Sequence, residues 1–190
     1  MIEVEIRGKL NDAEYEKLKS FLSSNGVFKG KHVREMYLLY DYPGYDHDPI
    51  KREVDIRLRN TDGFCEIMVK HKLSDGNHGR KEVSLPLADR SLETAKKVLS
   101  ALGCKKGLRM IREKEIFDYE GVEWSLVNCP PKNIKYYEAE LEATSTSDIA
   151  VIHQQLITQA ERVGMSVLDD VQMKEFIEWL DTEVNEEENF

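Results

Sequence analysis

Two glutamates and an arginine alternate with apolar residues at the start of the chain. They are Glu3, Glu5 and Arg7, within residues 1–7. Because side chains alternate between the two faces of a β-strand, a strand here would present all three charges on one side. Carboxylate oxygens are ligands for Mg²⁺ or Mn²⁺, and a guanidinium group suits the oxygens of a phosphate. The segment therefore contains the residue types of a metal and phosphate site.

Further charged residues follow the same two-residue spacing along the chain. Glu138 and Glu140 form a second acidic pattern within residues 137–142. Basic candidates on the strands between the two acidic segments are Arg57, Arg59, Lys70, Arg80, Arg112 and Lys114, and Glu66 and Glu82 are further candidates on the same faces. A polyphosphate chain with one or two divalent ions would bind both kinds of group, because such ions bridge carboxylates to phosphates.

The elements that must position these residues are about eight strands and four helices. Alternating patterns and turn residues predict strands at 1–7, 33–42, 54–60, 64–72, 79–85, 106–118, 121–127 and 134–143, with a turn at 74–77. Helical spacing and capping residues predict helices at 12–23, 91–102, 147–163 and 170–184. Short turns between most strands favour antiparallel pairing, and closing a sheet of this size removes its exposed edges. We therefore expect an α+β fold built on an eight-stranded antiparallel β-barrel.

The charged faces could point into this barrel or out to solvent. Half-buried antiparallel strands commonly carry a solvated polar face, so a purely structural role remains one alternative. At least three of the predicted helices have apolar stripes, however, and these need an apolar outer wall to pack against. That requirement favours a charged interior, which would form a polar tunnel with the helices packed outside. Charges in such an interior must be paired, or must face water and a ligand.

Six short motifs resemble, in order, those of the CYTH domain, the triphosphate tunnel metalloenzymes. They are Glu3-x-Glu5-x-Arg7, Arg57-x-Arg59, Lys70, Arg80-x-Glu82, Arg112-x-Lys114 and Glu138-x-Glu140, over most of residues 1–143. The family includes class IV adenylyl cyclases and thiamine and inorganic triphosphatases. The resemblance implies an eight-stranded antiparallel tunnel in which acidic residues bind metal and basic residues bind the triphosphate.

The sequence also departs from the family pattern at several positions. Arg7 stands where the family has a lysine; it can bind phosphate but cannot act as a base, because a guanidinium does not lose its proton in proteins. Ser84 and Asn128 fall near positions where carboxylates are common. Such losses could weaken metal binding, narrow the substrate range or abolish catalysis.

The function predicted from these residues is metal-dependent hydrolysis of a triphosphate compound: inorganic tripolyphosphate, thiamine triphosphate or a nucleoside triphosphate. Glu3, Glu5, Glu138 and Glu140 would be the catalytic, metal-binding residues, with Mg²⁺ or Mn²⁺ as cofactor. Arg7 would join the six basic residues in binding phosphate. The alternatives are a class IV-type adenylyl cyclase that makes cyclic AMP from ATP, and a non-catalytic module that binds polyphosphate or nucleotide.

Length and composition indicate an ordinary globular protein. The 190 residues suit a single domain, with strands within 1–143, C-terminal helices at 147–184 and an acidic tail at 185–190 that should fray into solvent. A net charge of −9 argues against nucleic acid as a partner, and no apolar run is long enough for a membrane helix. We expect a cytoplasmic protein whose partner is a triphosphate-containing small molecule, and a homodimer is compatible with this expectation.

Overall fold

The structure, a computed structural model, describes residues 2–73 and 79–190 and contains nine strands and four α-helices within them. The strands are β1 (Ile2–Leu10), β2 (Val27–Leu39), β3 (Val54–Thr61), β4 (Phe64–Lys72), β5 (Gly79–Pro86), β6 (Lys106–Tyr119), β7 (Val122–Cys129), β8 (Ile134–Ala143) and β9 (Glu186–Asn189). The helices are α1 (Asp12–Asn25), α2 (Leu92–Ala101), α3 (Ile149–Arg162) and α4 (Asp170–Trp179). The predicted α+β class is confirmed. The turn predicted at 74–77 lies outside the described residues.

Eight of the strands form a closed antiparallel ring. Their order is β2-β3-β4-β5-β1-β8-β7-β6, and β2 pairs with β6 to complete the circuit. The β2–β6 pairing runs from Val27 opposite Asp118 to Leu39 opposite Gly107 and contains a bulge after Phe28. Strand β2 begins six residues before the predicted start at residue 33. Its pairing with the long strand β6 holds residues 27–32 in an extended conformation.

The apolar face of β1 points outward and is covered by helices. Val4 and Ile6 of β1 are buried in the main hydrophobic cluster, together with Leu18 of α1 and Leu156 of α3. Asn11 caps α1 through a reciprocal pair of hydrogen bonds with Glu14, which fixes where the chain leaves β1 and begins the helix. Apolar helix faces thus take up the outer wall of the ring, as their stripes predicted. The charged faces of the strands are left for the interior.

The acidic tail forms a ninth strand, so the expectation that residues 185–190 fray into solvent is wrong. Strand β6 pairs with β7 only from Glu113 onward, which leaves the backbone groups of residues 106–109 available on that side. Strand β9 pairs with these residues, with Lys106 opposite Asn189. The Nζ of Lys96 lies 2.5 Å from a carboxylate oxygen of Glu188. Backbone pairing and this buried lysine offset the like charges of the tail.

The helix predicted at 170–184 ends earlier as an α-helix. Helix α4 stops at Trp179, and a π-helical segment, Leu180–Val184, leads to β9. Leu180 and Val184 are buried against Phe176 and Tyr136, so this segment packs on the ring. Among the described residues, every helix is too short or too polar to span a bilayer.

Candidate functional site

A cavity of about 700 Å³ lies within the ring. It collects the charged side chains that the two-residue spacing singled out, from six different strands. The predicted site residues that line it are Glu3, Glu5, Arg7, Arg57, Arg59, Lys70, Arg80, Glu82, Arg112, Lys114, Glu138 and Glu140. Glu66 is not among the lining residues and instead accepts a hydrogen bond from Nε of Arg59 at 2.6 Å.

Three carboxylates meet at one side of the cavity. The register between β1 and β8 places Glu5 directly opposite Glu140, with Glu3 two residues along the same face. Carboxylate oxygens of Glu3, Glu5 and Glu140 lie within 4.8 Å of one another. Burial, more than any other cause, raises the pKa of all three above the ordinary value, and the neighbouring carboxylates raise it further. This set of hard oxygen donors fits a divalent cation such as Mg²⁺ or Mn²⁺, which would also relieve the mutual repulsion.

Glu138 lies apart from this cluster, between two cations. Its carboxylate is 2.6 Å from Nζ of Lys114 and 3.1 Å from Nη2 of Arg7. Burial opposes ionisation of Glu138, but Lys114 and Arg7 outweigh it and hold the pKa of the carboxyl well below its usual range. Glu138 is therefore a fixed anion that orients two of the predicted phosphate-binding residues. Arg7 also contacts Glu5, so it connects Glu138 to the three-carboxylate cluster.

Lysine and arginine side chains also line the cavity. Nζ of Lys70 lies 3.2 Å from both carboxylate oxygens of Glu3 and also contacts Glu82. Lys70 and Glu3 hold the pKa of Glu82 down to about 2, against the effect of burial. Nη2 of Arg112 donates to the side-chain oxygen of Asn185 at 2.9 Å. Lys70 and Arg112 are thus held in place by partners from other segments of the chain.

The cavity is also lined by charged residues that the sequence did not predict as site residues, among them Arg34, Arg52 and Asp55. Arg34 of β2 donates to Thr61 Oγ1 at 3.1 Å. Its two-residue spacing from Met36 and Leu38 places all three on one strand face, and this spacing could have identified Arg34 as a cavity residue. Asp55 shares a strand face with Arg57, but its negative charge set it apart from the basic pattern. Arg52 lies in the segment before β3, where no two-residue periodicity exists to predict its direction.

The matching family model is that of the CYTH domain, over residues 1–173. The chain belongs to the CYTH family. The resemblance predicted from the spaced charged motifs is thereby confirmed. A comparison with curated proteins gave no significant match.

Several solved structures resemble this CYTH chain in fold. PH1819 protein from Pyrococcus horikoshii OT3 is 22% identical, with a TM-score of 0.72 over 93% of this chain and 98% of its own. A protein from Vibrio parahaemolyticus, described as a proposed adenylate cyclase, is 14% identical, with a TM-score of 0.65 over 87% and 90%. HpAC1 from Hippeastrum, described as having a dominant triphosphatase activity, is 16% identical, with a TM-score of 0.53 over 87% and 89%. At these identities the likeness concerns the fold alone.

Proposed function

We propose that this CYTH protein hydrolyses a triphosphate compound in a divalent-metal-dependent reaction, within an eight-stranded tunnel formed by the closed ring. The observation that carries the proposal is the three-carboxylate cluster of Glu3, Glu5 and Glu140, which shares a single cavity with several lysine and arginine side chains. If the acidic and basic residues lay on separate surfaces, water and counterions could compensate each kind of charge. One enclosed space containing both suits a ligand with several anionic oxygens and a bound cation.

Each group of residues has a defined task in this proposal. Glu3, Glu5 and Glu140 would hold Mg²⁺ or Mn²⁺, and Glu138 completes the acidic set through its contacts with Lys114 and Arg7. A cation bound there would supply charge neutralisation and Lewis acidity at a phosphate oxygen. The residues that would bind the phosphate oxygens are Arg7, Arg57, Arg59, Lys70, Arg80, Arg112 and Lys114.

These basic side chains are largely prepositioned by their ion pairs, so little reorganisation is needed when a substrate binds. Their charges would stabilise the transferring phosphoryl group within the cavity. Apolar side chains also line the cavity, including Met36, Leu38 and Met110. They would accommodate an organic portion of the substrate. The triphosphatase activity described for HpAC1 is consistent with this proposal.

The proposal is tested by measuring phosphate release from tripolyphosphate, thiamine triphosphate and ATP with Mg²⁺ or Mn²⁺. We expect turnover of at least one of these and a loss of 100-fold or more in Glu3→Ala, because that variant removes a carboxylate from the three-residue cluster. The exposed Glu161→Ala of α3 is the matched control. Full activity in Glu3→Ala would refute the assignment.

The same assay separates the alternative functions. An adenylyl cyclase would release pyrophosphate and cyclic AMP from ATP, whereas hydrolysis of the terminal phosphate releases orthophosphate. A binding module would be stabilised by tripolyphosphate in thermal unfolding, since a ligand of the native state raises the melting temperature, but would turn over none of the compounds.

A further inference from the structure

One carboxylate inside the cavity is surrounded by three guanidinium groups. Asp55 Oδ2 lies 2.7 Å from Nη2 of Arg57 and 2.8 Å from Nη1 of Arg80, and Asp55 Oδ1 lies 3.3 Å from Nη1 of Arg52. Only 3% of the Asp55 side chain is exposed. The three arginines come from β3, β5 and the segment before β3, and all of them line the cavity.

This arrangement is the one in which arginines hold a phosphate. A guanidinium group presents its donors in a planar fork that matches carboxylate and phosphate oxygens alike. Asp55 is the carboxylate that all three of these forks contact. The buried Nε of Arg57 also has no hydrogen-bond partner among residues 2–73 and 79–190, so the cluster retains a donor that Asp55 does not use.

The cluster is fixed by contacts that do not involve Asp55. Nε of Arg52 donates to the backbone oxygen of Asp46 at 2.8 Å, and Nη2 donates to that of His47 at 3.4 Å. The guanidinium carbon of Arg52 lies 4.5 Å from the centre of the Tyr45 ring. Arg52 would therefore keep its place if the carboxylate were neutralised.

Asp55 is an anion under all ordinary conditions. Burial alone would raise its pKa, but Arg57, Arg80 and Arg52 outweigh burial and hold the pKa of the carboxyl well below its usual range. A permanent negative charge at this position repels a phosphate that would take its place between the three arginines.

We propose that Asp55 is a specificity-determining residue whose carboxylate occupies a phosphate position among Arg52, Arg57 and Arg80 and so limits the number of phosphates that the cavity accepts. The inference rests on the proposed binding of a triphosphate in this cavity. It assigns the far end of a triphosphate to the sides of Arg57 and Arg80 that Asp55 does not contact, such as the Nε of Arg57, and leaves the space between the three arginines to Asp55.

The test compares the binding of tripolyphosphate and tetrapolyphosphate to wild type and Asp55→Asn by isothermal titration calorimetry. EDTA is present so that no divalent ion supports turnover. We expect Asp55→Asn to shift the ratio of the two affinities toward tetrapolyphosphate by tenfold or more, because the neutral amide neither repels the fourth phosphate nor is held between the guanidinium groups by its charge. Asp55→Glu retains the anion and is the matched control, with the wild-type ratio expected.

A second variant covers the case in which Asp55→Asn does not fold because three guanidiniums repel one another. The double variant Asp55→Asn/Arg52→Gln restores the net charge of the wild-type cluster, and its glutamine can still donate to the backbone oxygens of the loop. We expect the same shift toward tetrapolyphosphate in this variant.

The outcomes separate the two proposals. If wild type binds tripolyphosphate but neither variant changes the ratio, or both ligands lose affinity equally, Asp55 only positions the arginines and the specificity proposal is wrong. If wild type binds neither polyphosphate, with EDTA or with Mg²⁺, the proposed function fails and the role of Asp55 fails with it.

Discussion

Replacing Glu140 by glutamine should make the metal-free protein more stable while removing its response to divalent metal. Glu140, Glu3 and Glu5 bring carboxylate oxygens within 4.8 Å of one another. Two unit charges at that distance repel by about 3.5 kcal/mol at an effective dielectric constant of about 20. Lys114 attracts the Glu140 carboxylate and offsets part of this repulsion, so the net gain is smaller. We expect the variant to be about 1–2 kcal/mol more stable.

The pH dependence of this gain has a defined sign. The pKa of Glu140 is raised in the folded protein above its ordinary value of 4.5, with burial as the largest cause, so the folded state binds the proton more tightly. Ionisation of Glu140 therefore destabilises the fold increasingly as the pH rises above that value. The advantage of Glu140→Gln should be absent where glutamate is protonated in both states and should grow as the pH rises from the ordinary value of 4.5 toward the higher pKa of the folded protein.

Thermal unfolding measured in EDTA and in Mg²⁺ or Mn²⁺ tests both expectations. For a protein of this size, 1 kcal/mol corresponds to about 2–4 °C in melting temperature, so Glu140→Gln should melt about 2–8 °C higher in EDTA. Metal should raise the melting temperature of wild type and leave the variant nearly unchanged. Glu161→Gln on the outer helix α3 is the control, with no change expected. A variant that melts lower than wild type in EDTA, or keeps the full metal response, would refute the reasoning.

Two further predictions concern the packing that holds the ring. Gly8→Ala should destabilise the protein by about 1–3 kcal/mol in urea unfolding, because the added methyl would lie 2.2 Å from the backbone oxygen of Ser166; an unchanged midpoint would show that the two segments can separate at no cost. Phe190→Ala should cost about 1–2 kcal/mol by the same measurement, because the Phe190 ring packs edge-on against buried Tyr37 with centres 5.6 Å apart, whereas Val151→Ala on the exposed face of α3 should cost little.

The interior of the ring could be predicted from the sequence because strands have a strict two-residue period. Glu3, Glu5 and Glu140 needed only this alternation, together with helices that required an apolar wall. The helix after β1 could also be predicted, since Asn11 and Glu14 form a capping box at the predicted start. Local patterns sufficed where one face of an element is uniformly buried.

The features that escaped prediction depend on partners distant in sequence. Residues 27–32 form a strand because β6 pairs with them. The negative charge of the tail at 185–190 predicts disorder, but the tail pairs as β9 with residues 106–109 of β6. The direction of the Arg52 side chain is set by hydrogen bonds to backbone oxygens of a loop. The position of the Glu138 carboxylate is set by its ion pairs with Lys114 and Arg7. No local periodicity encodes such contacts.

The pairing of β1 with β8 has a consequence for how the protein acquires its chemistry. Glu5 belongs to the first strand of the ring and Glu140 to the last, so their carboxylates meet only after both ends of the ring have come together. Contacts between segments so distant in sequence form late and slowly during folding. A partly folded chain would offer a divalent ion only isolated carboxylates. Metal affinity can therefore serve as a reporter of completed folding, and we expect added metal to slow unfolding while leaving the early steps of refolding unchanged.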